Sequence, residues 1–75
     1  MSIGMQPHNA VLEMAMRNVA GQESRVSQQE AVVARLRREG IPTEQAEETL
    51  ARMRNILNKL RDAVDLLQRK PGPEN

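Results

Sequence analysis

Apolar residues recur at alternating four- and three-residue steps through the second half of the chain: Ala46, Leu50, Met53, Leu57, Leu60, Val64 and Leu67. This heptad spacing predicts an α-helix with one stripe to bury against another helix. A matching seam runs through the first half as Leu12, Ala15, Val19, Gln22, Val26, Gln29, Val33 and Leu36. It is apolar at both ends and interrupted by glutamine in the middle. A buried amide without a partner costs about 1 to 3 kcal/mol. Gln22 and Gln29 are therefore expected either to reach solvent or to meet polar groups of a second chain, where they would fix register.

Between the seams, Gly40 stands where a left-handed helix-terminating residue belongs, and Pro42 cannot continue a helix. Thr43 is the natural N-cap of the second helix, with Glu44, Glu47 and Glu48 suiting a helix N-terminus, although Ala46 at N3 leaves the capping box incomplete. Arg35, Arg37 and Arg38 suit the end of the preceding helix. Asn9 is a serviceable N-cap, and the only glycine in the first helix, Gly21, costs roughly 1 kcal/mol relative to alanine. The reading is an all-α, two-helix antiparallel hairpin over residues 9–70. Its first helix is expected at about 10–39, the turn at 40–43 and the second helix at about 44–69, with a loose arm at 1–8 and a frayed tail at 71–75.

Folding about the turn pairs Leu36 with Ala46, Val33 with Leu50, Gln29 with Met53, Val26 with Leu57, Gln22 with Leu60 and Val19 with Val64. Met16, Val32, Ile56, Ala63 and Leu66 lie off that seam and widen the apolar faces toward those of helices that touch more than one neighbour. At 75 residues with no cysteine, the chain has neither disulfides nor the common zinc sites to support a small core. Oligomerisation remains, and two hairpins forming a homodimeric four-helix bundle are expected. The expected oligomer or partner interface comprises Val19, Gln22, Val26, Gln29, Val33, Leu50, Met53, Ile56, Leu57, Leu60, Val64 and Leu67.

Charge adds little at this level. Eleven Lys and Arg against ten Asp and Glu give +1, and there is no aromatic residue to stack on a base or sugar. Arg25, Lys59 and Arg61, with the more central Arg35, Arg37, Arg38, Arg52 and Arg54, could form a basic face for nucleic acid. Interspersed acids favour a solvated surface instead. Four-residue spacing offers the pairs Glu13–Arg17, Arg35–Glu39, Glu48–Arg52 and Asp65–Arg69, each contributing about 0.2 to 0.5 kcal/mol. No basic, apolar leader, membrane-length apolar run or lipidation box is present, so cytoplasmic residence and no membrane partner are the default expectation.

Catalytic chemistry finds no foothold in the pattern. His8, the sole histidine, falls in the expected arm, and Ser24 and Ser27 have no histidine base near them. The carboxylates at 44, 47 and 48 are explained by a helix N-terminus without a cation. No catalytic residue, metal or cofactor is expected, and the chain reads as a non-enzyme.

The stretch from Val19 to Glu30, with Val33-Ala34-Arg35-Leu36, Gly40, Thr43, Ala46-Glu47 and Leu50, resembles a group of small helical-hairpin proteins of alphaproteobacteria. The resemblance covers about residues 19–60 and implies the fold and a bacterial cytoplasmic setting, but no mechanism. Here Gly21 precedes Gln22 where the group usually has Gly-Glu, and Pro42 stiffens the turn. The functional expectation is a self-associating hairpin that presents a helical face to an unidentified protein partner, as a small adaptor or regulator. The alternative is a nucleic-acid-binding regulatory hairpin resembling the plasmid repressor-of-primer architecture.

Overall fold

The computed structural model describes residues 7–69, and within them the chain is an antiparallel pair of helices, α1 (Pro7–Arg38) and α2 (Glu44–Gln68). The first six and last six residues, which include most of the expected arm and the expected tail, lie outside the described residues. α1 begins three residues before the expected start. Proline suits this first helical position because its fixed φ is already helical and its missing N–H has no acceptor to lose there, so Pro7 opens the helix and Asn9 falls within it.

The turn closes as its residues dictate. Gly40 has φ of 73°, the Ile41 N–H donates to the Leu36 carbonyl at 2.9 Å, and the Gly40 N–H donates to the Arg37 carbonyl at 3.1 Å. These two bonds form a Schellman motif and satisfy carbonyls that the end of α1 would otherwise leave open. Thr43 occupies the N-cap position of α2 but makes no side-chain cap. Its hydroxyl donates to Glu47 Oε2 at 2.8 Å, a charge-assisted hydrogen bond to the residue one position beyond N3.

The core is a single seam. Val26, Val33, Leu50 and Leu57 are buried and packed together, with Val19, Ala46 and Met53 partly buried against them. Every expected seam position of α1 is buried or half-buried, and in α2 only Leu67, near the open end, is exposed. The off-seam apolar residues Met16, Val32, Ile56, Ala63 and Leu66 all stay exposed.

The two glycines in and beside α1 separate conformational need from open space. A Cβ at either one would meet nothing within 4 Å, so only backbone conformation distinguishes them. Gly21→Ala is expected to raise hairpin stability by about 0.5 to 1 kcal/mol, whereas Gly40→Ala should lower it by roughly 1 to 2 kcal/mol through left-handed strain. Urea melts of the two variants beside the parent check both signs.

Candidate functional site: two unlike flanks of the hairpin

Taking the seam as heptad positions a and d, with Val26 and Leu57 at a, places Glu23, Glu30 and Arg37 of α1 and Glu47, Arg54 and Arg61 of α2 at e. In an antiparallel pair the e positions of both helices share one side. They meet here as three ion pairs: Arg61–Glu23 at 2.9 Å, Arg54–Glu30 at 2.7 Å and Arg37–Glu47 at 2.7 Å. Each seven-residue step along α1 is matched by seven residues back along α2, so the ladder marks one register from end to end. All six side chains remain about half exposed, and such pairs contribute at most about 1 kcal/mol each. Their main effect is to set alignment. Of the four pairs expected within single helices, Asp65–Arg69 forms, at 3.3 Å; the other three are absent.

The seam glutamines repeat the same translation. Gln22 Nε2 donates to the Met53 carbonyl at 3.0 Å, and Gln29 Nε2 donates to the Ala46 carbonyl at 2.9 Å. Gln22 is only 6% exposed, so it does not reach solvent as one expectation had it, and neither amide needs a second chain. A carbonyl has two lone pairs and can serve both its helical bond and a cross-helix amide. Sequence reasoning missed this acceptor because backbone carbonyls carry no signature in the residue pattern.

At the turn end, Glu47 gathers both neighbours. Its carboxylate accepts from the Thr43 hydroxyl and from Arg37 Nη2, and these hydrogen bonds, with the guanidinium charge, hold its pKa below the usual glutamate range. Beside it, a shallow cleft of about 340 Å³ lies between the helices, lined by Glu30, Val33, Arg37, Glu47, Leu50 and Arg54 among others. The charged groups in its wall are already paired with one another, and no nucleophile or histidine faces it.

The opposite flank is different in kind. Positions g and c carry Val11, Met14 and Val32 from α1 and Ile56 and Leu66 from α2, bordered by the seam residue Leu67. All six are exposed, Ile56 by 49% and Leu66 by 66%. The charged residues at g and c are Arg25, Arg35, Arg52 and Lys59 against the single acid Glu39. Among the described residues none of these basic groups is ion-paired to a carboxylate. The b positions, beside the ion-pair ladder, hold only acids among their charged residues: Glu13, Glu44 and Asp65.

Of the expected interface residues, Val19, Gln22, Val26, Gln29, Val33, Leu50, Met53, Leu57, Leu60 and Val64 are buried or half-buried at the seam between the two helices of one chain. Only Ile56 and Leu67 are left exposed for an outside surface. Within one hairpin the residues of the possible basic face are divided among different sides. Arg37 and Arg54 are engaged on the e flank by Glu47 and Glu30, Arg35 and Arg52 lie on the g and c flank, and Arg38 sits at f on the back. The reason is angular: c and e positions lie on opposite sides of a helix, about 160° apart at 100° per residue.

Among the described residues, no three metal-binding side chains come together, and no helix is long and apolar enough to cross a membrane. No family model matches the chain, and neither a curated protein nor a solved structure is similar to it.

Proposed function

We propose that this protein is a non-enzymatic helical-hairpin interaction module that self-associates through its g and c flank into a four-helix bundle. The observation that carries this reading is the sorting of the flanks: one has its charges matched in three ion pairs, while the other exposes six large apolar side chains on the same side. A second copy is always at hand, and a core with four buried apolar side chains among the described residues leaves much for it to add. Nucleic acid has less support, since Arg37 and Arg54 are occupied by carboxylates and there are no aromatic platforms.

Sedimentation equilibrium at micromolar concentration tests the assembly. A dimer is expected, and it should tighten as sodium chloride rises, because Arg25, Arg35, Arg52 and Lys59 of two copies face one another across the apolar contact and salt screens their repulsion. A stable, fully helical monomer across the whole salt range would remove self-association from the reading.

A further inference from the structure

We infer that the g and c flank is built to accept an acidic amphipathic helix from another protein, which competes with the second copy for the same face. This rests on the docking face proposed for self-association but differs about its preferred occupant. Charge complementarity carries it. A second copy brings four bases and one acid to face four bases and one acid, whereas a helix with an apolar stripe and glutamates on its borders meets those same bases with opposite charge. The other flank of a neighbouring copy fits less well, because although its b positions are acidic the charges at its e positions are already matched in ion pairs. Among the described residues only Met16 is a large exposed apolar residue on that flank.

A separate feature of the same flank fits an incoming helix. Gly21 lies at a c position in the interior of α1, where glycine weakens a helix, and nothing in the hairpin occupies the space its missing side chain leaves. A helix backbone closing onto this flank would use that space. The exposed apolar residues also separate the candidate ligands: Val32, Ile56 and Leu66 offer nothing to a phosphate backbone but give apolar surface to the apolar face of a helix.

The test uses the full chain and two synthetic helical peptides of about 28 residues, each long enough for four heptads. Both carry the same leucine and isoleucine seam; one has glutamate and the other lysine at the bordering positions. Anisotropy titrations should show the acidic peptide binding at least about tenfold more tightly at low salt, with the preference shrinking as the Debye length falls. Sedimentation of the mixture should show a one-to-one complex in place of the dimer. The double variant Arg25→Gln, Arg52→Gln should lose the preference while keeping its helical signal, since both side chains are exposed and neither joins an ion pair among the described residues. Arg61→Gln, on the ladder side, should keep it.

Equal affinity for the two peptides, with the dimer intact, would overturn the inference and leave self-association standing. Preference for the acidic peptide by a chain that is monomeric alone would do the reverse. Tighter binding to anionic phospholipid vesicles or to a single-stranded RNA than to the acidic peptide, at about 0.15 M salt, would also overturn it, in favour of that other ligand.

Discussion

Replacing Leu57 with alanine is expected to remove about 2 to 5 kcal/mol of stability, the cost of deleting a buried leucine and leaving a cavity behind. Leu57 is 5% exposed and is one of four buried apolar side chains that form the core among the described residues. Typical domains hold about 5 to 15 kcal/mol in total, and one this small sits toward the lower end. The variant should therefore be largely unfolded at room temperature. In the proposed dimer, association stabilises only the folded hairpin, so the loss should appear in both folding and self-association, and its apparent size should depend on protein concentration. Circular dichroism melts at several concentrations measure it. Met16→Ala provides the contrast: at 48% exposure and away from the flank proposed for self-association, it should move stability by no more than about 0.5 kcal/mol. A similar effect from both substitutions would mean that the seam is not where the energy lies.

The second large effect is expected from Gln22→Glu, a change of one group with almost no change of shape. Gln22 is buried and its amide donates to the Met53 carbonyl. A carboxylate there offers an oxygen to an oxygen and brings a charge into a mostly apolar seam. The expected cost at neutral pH is about 2 to 4 kcal/mol, in the range for an uncompensated buried charge. Burial and the facing carbonyl should raise the folded-state pKa of the new acid above its unfolded value of about 4.3. The folded protein then binds the proton more readily than the unfolded one. The deficit should be smallest below the unfolded pKa, where a protonated carboxyl can donate to the carbonyl in the amide's place, and should grow as pH rises through the folded pKa. The checking measurement is the stability difference between variant and parent as a function of pH. A deficit that does not change between acid and neutral pH would place this side chain in water.

Most of the architecture is legible in the residues. Local signals agree at every level: the heptad seam, Gly40 and Pro42 at the turn, and opposite charges at the facing helix ends all specify one hairpin. The difference at Pro7 is a boundary matter, where a residue that discourages helix before it is well suited to start one. The glutamines are harder to place. Their position in the seam is evident, but their partners are main-chain carbonyls of α2, and a carbonyl is present at every residue of any sequence.

The candidate site shows the same division more sharply. Along the chain, acids and bases alternate closely enough to look like an ordinary solvated surface with a net charge near zero. Packing the helices sorts them, because each helix turns its e positions toward the same positions of the other and carries its g and c positions to the far side. Glutamates 23 and 30 then neutralise arginines 61 and 54 across the seam, while Arg25, Arg35, Arg52 and Lys59 share the far flank with the exposed Val32, Ile56 and Leu66. The pair of helices, their turn and the stripe each must bury are therefore written in the residue order, since they come from periodicity and from local backbone preference. Which charges cancel, which carbonyls satisfy the amides and which apolar side chains are left open emerge only on packing. These depend on contacts between residues 10 to 38 positions apart, and their geometry exists only once the second helix lies against the first.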